Sequence, residues 1–533
     1  MDQKQAWLDA RQYTQEHLDL ARLVLDEVRE GVDVAKAIRR HPLAEGGFIA
    51  KHVLIHVYRS LVQSGVWAED PDFLQLIRMK PARTLSGVTT VSVLTKPYPC
   101  PGECIFCPTD LRMPKSYLPD EPGAMRALHH DFDPYRQTQA RMDALEAIGH
   151  PTDKIELLIL GGTWSTYESS YQEWFIQRCL DAMNAYDSST LLEAQKTNEK
   201  AEHRNVGLVI ETRPDWITPE EVRRLRNLGV TKVQLGLQSM DDALLSLNHR
   251  GHQVEESRKA MSYLRAAGIK IVIHWMPNLY GATFESDRKD FVKLWDDPGI
   301  RPDEMKIYPC QLLQGTELYE LWKKGDYRPY TTQELIELIA DLKPSIPRYC
   351  RVNRVLRDIP SDNVVEGNKR SSIRQDVHQE LKKRGSRCEC IRCREIRDLS
   401  IDQGQLQMEY LGYTTLTSEE YFLSFLTPKD RLAGYLRLSL PGQNSPNLEI
   451  PEIQDAALVR EVHIYGQSLT IGEEQSGAAQ HSGLGFQLMN EAEQIAKERG
   501  FCKIAVIAAL GTRGYYRRLG YDLDGTYMVK DLE

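Results

Sequence analysis

Six short runs of aliphatic and β-branched residues, separated by polar stretches long enough for crossovers, constrain this 533-residue chain more than any other feature. They are the strand from Val88 to Leu94, then IELLIL (155–160), VGLVIE (206–211), KVQLGL (232–237), KIVIHW (270–275) and EMKIY (304–308). Amphipathic stretches such as RQTQARMDALEAIG (136–149) and VEESRKAMSYLRAAG (254–268) lie between most of them. Continuously apolar runs of this length suit parallel strands buried on both faces. The alternation predicts an α/β architecture, a complete or partial TIM-like (β/α) barrel over 76–344. Such barrels carry their reactive groups at the C-terminal ends of the strands. Residues 1–75, where Leu8, Leu18, Leu20, Leu23 and Leu25 recur among charges, predict a helical region. The segment 345–400 reads as a basic, cysteine-bearing linker. Over 401–533 the strand-like LAGYLRLSL (432–440) and ALVREVHIYG (457–466), a helix from Gly483 and KIAVIA (503–508) predict a second, smaller α/β domain.

A length of 533 residues asks for several cores. No run approaches the roughly 20 apolar residues of a membrane span. The polar first twenty residues lack the apolar centre of a secretory signal, so a cytoplasmic location is expected. Six of the ten cysteines fall in two tight clusters, and in a reducing compartment that pattern speaks for metal rather than disulfides. A net charge of −9 argues against a nucleic-acid partner, yet 348–397 holds 14 Lys/Arg against 7 Asp/Glu. A solvated surface segment is the plain alternative for such a run.

Cys100, Cys104 and Cys107 have C-x3-C-x2-C spacing directly after the first strand. Three thiolates on one loop can ligate three irons of a 4Fe-4S cluster, leaving the fourth iron for the amino and carboxylate groups of S-adenosylmethionine. A zinc knuckle completed by a distant ligand is the alternative. Gly161, Gly162 and Thr163 follow the second strand, where small residues let backbone approach the methionyl end of that cofactor. Glu211, Thr212 and Arg213, then Gln238 and Ser239, then His274, offer polar groups at later strand ends. Together these features resemble the radical S-adenosylmethionine superfamily; Thr163 departs from the Glu that ends its generic second motif.

Gln480-His-Ser-Gly483-Leu484-Gly485 opens a helix through Phe486, and a glycine turn into a helix N-terminus suits a pyrophosphate. With KIAVIA and the later Tyr515-Tyr516, the order resembles the GNAT acetyltransferase fold. Glu461 and His463 share one face of the strand 457–466; a satisfied pair lining a cleft is the alternative to catalysis.

A radical S-adenosylmethionine barrel joined to a GNAT domain resembles the catalytic subunit of Elongator, in a stand-alone bacterial or archaeal form. The blocks PYPCPGECIFCP, LGGTW, ETRPD, LGLQS, NHRGH, KIYPCQLLQGTELYELW, HSGLGFQLMNEAE and GTRGYYRRLGY carry the likeness. Within this family Thr163 is the expected residue. The resemblance implies carboxymethylation of C5 of the wobble uridine in tRNA, with the 4Fe-4S cluster, S-adenosylmethionine and acetyl-CoA as cofactors and an external electron donor. It places acetyl-CoA on Lys154, Glu461, Val462, His463, Ile464, Leu484, Gly485, Phe486 and Tyr516, with Lys154, Glu461, His463 and Tyr516 as the catalytic set.

Cys388, Cys390 and Cys393 suit a structural zinc, with Cys310 or His378 as fourth ligand. Lys80, Arg83, Lys96, Arg370 and Arg374 are the candidate tRNA contacts. Two other functions fit the chain: a GNAT lysine acetyltransferase with the barrel as scaffold, and a non-catalytic tRNA-binding module. Monomer and homodimer, and a need for accessory subunits, are left open.

Overall fold

In the computed structural model, which describes residues 13–81, 84, 87–397, 403–465 and 483–533, the apolar runs pair as one parallel sheet in chain order. Its strands are β1 (Thr89–Leu94), β2 (Lys154–Leu160), β3 (Arg204–Thr212), β4 (Lys232–Gln238), β5 (Lys270–Trp275), β6 (Glu304–Ile307) and β7 (Arg351–Arg354). Among the described residues β1 and β7 remain edges, so the barrel is partial. Helices such as Pro134–Glu146, Ser169–Asn184 and Val254–Ala266 cover its outer face.

Two departures from expectation have physical causes. The segment read as a linker, 345–400, supplies β7, whose sequence RVNR has no apolar run because it forms the sheet edge. The runs read as continuously apolar are not buried alike on both faces. In β4 the lumen side presents Lys232, Gln234, Gly236 and Gln238, while Val233, Leu235 and Leu237 pack outward into the core. The period of two along a strand separates these sets.

The N-terminal helices Gln15–Arg29, Val34–Arg40, Lys51–Gln63 and Pro71–Ile77 bury a core of their own around Leu25, Leu54, Tyr58 and Phe73. Thr14, Asp33 and Asp70 cap three of them. Leu23 points to solvent, and Leu8 lies outside the described residues.

The C-terminal domain is a mixed sheet, ordered β13-β14-β12-β11-β10-β9-β8. Its strands are β8 (Gln407–Thr414), β9 (Ser418–Leu426), β10 (Leu432–Pro441), β11 (Ala457–Ile464), β12 (Lys503–Val506), β13 (Asp522–Asp524) and β14 (Tyr527–Asp531). The parallel partners β11 and β12 pair only through Ala457–Val459, so Arg460–Ile464 splay away and open a cleft.

This sheet docks under the N-terminal ends of the barrel strands. Arg460 reaches Asp303 at 3.0 Å and the Ile269 carbonyl at 3.1 Å. Tyr527 donates to the Ala267 carbonyl, and Arg513 and Arg517 both pair with Glu199. The surplus of positive charge in 348–397 is partly neutralised by acids from elsewhere in the chain. Arg348 pairs with Asp430 and Glu409, Arg357 with Glu121, and Arg384 with Asp341.

Candidate active site

One cavity of about 1450 Å³ runs from the cysteine loop through the barrel lumen to the splayed cleft of the second domain. Its upper end lies at the C-terminal ends of the strands, as expected. Cys104 is buried, and Cys100 Sγ lies 3.6 Å from Thr163 Oγ1. The Cys107 thiol and the nearby Arg250 and Arg213 hold the Cys104 thiol down to about 5. The same pairing, with burial, pushes the Cys107 thiol up. Gly161 has φ +125°, and a Cβ there would collide with Thr95 Oγ1, so only glycine keeps this turn against the strand. Arg213 Nη1 and Gln238 Oε1 are buried without a hydrogen-bond partner. Orphaned polar atoms at this depth fit a polar cofactor that completes them. Glu211 bonds Tyr117 at 3.3 Å and lies 3.4 Å from His274, whose burial keeps its ring neutral.

At the lower end, Lys154, Val462, His463, Ile464, Gly483, Gly485, Phe486, Tyr515 and Tyr516 all line the cavity. Gly483 has φ +75° and starts the helix Leu484–Glu498. A Cβ on Gly485 would come 2.7 Å from the Tyr515 hydroxyl, so backbone stays exposed at that turn. Leu484 turns its side chain into the core, and Gln480 lies outside the described residues. Burial lowers the Lys154 ammonium.

Glu461 and His463 share a face as expected but stand in different states. Burial opposes ionisation of Glu461, yet the Lys270 ammonium and Arg437 guanidinium hold it down to about 2. A carboxylate so committed is a poor base. Burial lowers His463 to about 4, and its Nε2 is buried without a partner. The imidazole is therefore neutral in this cleft.

Cys388, Cys390 and Cys393 bring their sulfurs within 4.8 Å of one another, and His378 Nε2 lies 3.9 Å from Cys393 Sγ. Cys310 is not with them. It lies three residues past β6 at the opposite rim, in one hydrophobic cluster with Cys104, Ile105 and Phe106. The reason is topological: β6 delivers its C-terminus to the barrel mouth, whereas the triad follows β7 and a helix. Lys343 Nζ is buried without a hydrogen-bond partner, and its charge acts on all three thiols. A buried cation beside them suits a site of net negative charge.

Lys80, Lys96 and Arg370 are exposed; Lys96 lies over the Tyr171 ring at 4.7 Å. Arg374 is corrected as a surface contact: half-buried, it donates to the Val352 carbonyl of β7. Arg83 lies outside the described residues. Sequence reasoning missed the lumen residues Lys232, Gln234, Lys270, Glu304 and Lys306. Their signal was the recurrence of polar residues on one face of each strand: Lys232, Gln234 and Gln238 in β4, Lys270 and His274 in β5, Glu304 and Lys306 in β6.

The fold and site define a radical S-adenosylmethionine half-barrel carrying an acetyltransferase domain. Residues 98–294 match the Radical SAM superfamily, 302–383 the Radical_SAM C-terminal domain, and 395–521 the Acetyltransferase (GNAT) family. The chain is 42% identical over 529 residues to the tRNA uridine(34) acetyltransferase of Methanocaldococcus jannaschii, spanning 96% of this chain and 97% of that one. It is 36% identical to Elongator complex protein 3 of Danio rerio, over 86% of each chain. Among solved structures, the archaeal Methanocaldococcus infernus Elp3 with residues 1–46 deleted superposes with a TM-score of 0.72 at 40% identity, over 84% of this chain and 99% of that one. The chain therefore belongs to the family of tRNA uridine(34) acetyltransferases and Elongator complex protein 3. No helix among the described residues is long and apolar enough to cross a membrane.

Proposed function

We propose that this chain is an enzyme that carboxymethylates C5 of the wobble uridine of tRNA, using acetyl-CoA and radical S-adenosylmethionine chemistry. The observation that carries the reading is the single cavity joining the cysteine loop to the GNAT cleft. A lysine acetyltransferase has no use for such a connection. Its acceptor would also have to approach β11 where Arg460 and Glu461 are closed against the barrel by Asp303 and Lys270.

In this reading Cys100, Cys104 and Cys107 would hold a 4Fe-4S cluster, which would supply, from an external donor, the reducing electron for radical chemistry on S-adenosylmethionine. Gly161, Gly162 and Thr163 receive the methionyl end, and Glu211, Arg213 and Gln238 complete its polar contacts. Lys154, Val462, Ile464, the helix start Gly483–Phe486 with Gln480, and Tyr515 bind acetyl-CoA; Tyr516 lies beside the thioester. His463 takes a proton from attacking water, and Glu461 is a positioning residue through Lys270 and Arg437. Cys388, Cys390, Cys393 and His378 hold a structural zinc. The RNA lies along Lys80, Arg83, Lys96 and Arg370, and the enzyme works in the cytoplasm, where tRNA is found.

Nucleoside analysis of tRNA from a deletion strain tests the reading. Loss of the C5-modified wobble uridine is expected. Unchanged tRNA together with hypoacetylated protein would favour the lysine acetyltransferase instead. In vitro, tRNA with a wobble uridine should stimulate release of free coenzyme A, and Tyr516→Ala should abolish that stimulation while leaving RNA binding intact.

A further inference from the structure

The two ends of the cavity are far apart. The acetyltransferase cleft meets the barrel at the first residues of its strands, and the cysteine loop follows their last residues. From Lys232 to Gln238 the chain climbs six residues, roughly 20 Å at the rise of a parallel strand. A thioester held beside Tyr516 is therefore not beside the cysteine loop, and something has to cross the lumen.

The lumen wall says what that is. At its floor the two strand-end lysines are matched. Lys232 pairs with Glu156 at 2.6 Å and Glu304 at 3.5 Å, and Lys270 pairs with Glu304 at 3.4 Å and with Glu461. One turn of the pleat higher, Lys306 differs. It is 8% exposed and lines the cavity, yet no carboxylate among the described residues lies within ion-pair distance of it. Its contacts are the Gln234 amide oxygen and, at 5.5 Å, the Tyr308 ring. The same oxygen bonds His274 Nε2 at 3.0 Å, which leaves the Gln234 amide nitrogen to donate. A buried ammonium without a counter-ion is costly unless an anion joins it. One cation and one amide donor facing the lumen match a small monocarboxylate.

We propose that the barrel lumen conducts free acetate from the GNAT cleft to the radical site, with Lys306 and Gln234 as its binding station. The proposal rests on the reading that acetyl-CoA is hydrolysed in the cleft. There water adds to the acyl carbon, the C–S bond breaks, and acetate, coenzyme A thiol and a proton are released with no change of oxidation state. The carboxylate, freed from the coenzyme, then crosses the lumen as an anion, with its methyl group available at the mouth.

The test uses the full-length protein and [13C]acetate. Without RNA or acetyl-CoA, the wild type should bind acetate, read by 13C line broadening at fixed ionic strength. Lys306→Met should weaken that binding more than tenfold. Gln234→Glu, which keeps side-chain shape and gives Lys306 an internal carboxylate, should do the same without loss of thermal stability. Lys232→Met, which removes a cation already paired, should leave acetate binding within twofold. Equal binding in wild type, Lys306→Met and Gln234→Glu would overturn the station. A second arm supplies [13C]acetate, and in parallel [13C]acetyl-CoA, to the wild type with S-adenosylmethionine, reductant and tRNA. Label at uridine C5 from both is expected. Label from acetyl-CoA but never from acetate would overturn the conduit while sparing the proposed function, and label from neither would overturn the proposed function itself.

Discussion

Replacing Asp303 with Asn should loosen the docking of the two domains, and its size follows from the geometry. Asp303 is fully buried at the seam. Its carboxylate takes both terminal nitrogens of Arg460, lies 3.5 Å from Arg437 Nη1, and accepts the Ile271 backbone N–H at 2.9 Å. Asn keeps the volume, so no cavity confounds the change, but two buried guanidinium groups each lose a carboxylate. Removing one partner of a buried ion pair costs about 3–5 kcal/mol. If all 533 residues unfold together, at about 2.1 cal/mol/K per residue, that loss lowers Tm by about 3–4 °C. Should the seam alone give way, the scan should split into two transitions. The pH dependence has a definite sign. Burial would raise the Asp303 carboxyl, but Arg460, Arg437 and Arg265 hold it down to about 2, against an ordinary 3.8. A carboxyl depressed by folding stabilises above its unfolded value, and this contribution is lost as pH falls from about 4 through about 2. Scanning calorimetry of wild type and Asp303→Asn at neutral pH and near pH 3 reads both effects. A scan that moves by less than 1 °C at neutral pH would refute the claim that this pair holds the domains together.

Cys104→Ser should lose most of its iron after anaerobic reconstitution while still binding acetyl-CoA, because the cysteine loop and the GNAT cleft lie at opposite ends of the barrel; iron quantitation beside a coenzyme A binding assay decides it. Purified protein should carry about one zinc per chain by elemental analysis, and Cys390→Ser or His378→Ala should lower that count, whereas Cys310→Ser should leave it unchanged. RNA affinity should fall log-linearly with salt despite the net charge of −9, and Lys96→Glu should flatten the slope by about 1; an unchanged slope would remove Lys96 from the RNA surface.

Much of this molecule is written in contiguous sequence. The βα alternation, the C-x3-C-x2-C loop, the Gly161-Gly162 turn and the Gly483–Gly485 helix start are local patterns, set by periodicity and by the few residues that a turn or helix end tolerates. The sequence by itself therefore determined the two domains, their order and the two kinds of cofactor chemistry. Other features belong to the tertiary structure because they join residues far apart in the chain. Arg460 finds Asp303, Lys270 finds Glu461, and the acids that neutralise Arg348 and Arg357 come from Asp430 and Glu121. Those pairs decided that the GNAT cleft faces the floor of the barrel, that Glu461 is spent as an ion-pair partner, and that a stretch with seven surplus positive charges is partly matched. The second cysteine cluster has His378 rather than Cys310 beside it for a related reason: strand direction sends the two cysteine-bearing segments to opposite ends of the sheet. Burial of charge is a property of packed neighbours rather than of composition, and it is what left Lys306 without a carboxylate partner among the described residues while Lys232 and Lys270 were paired.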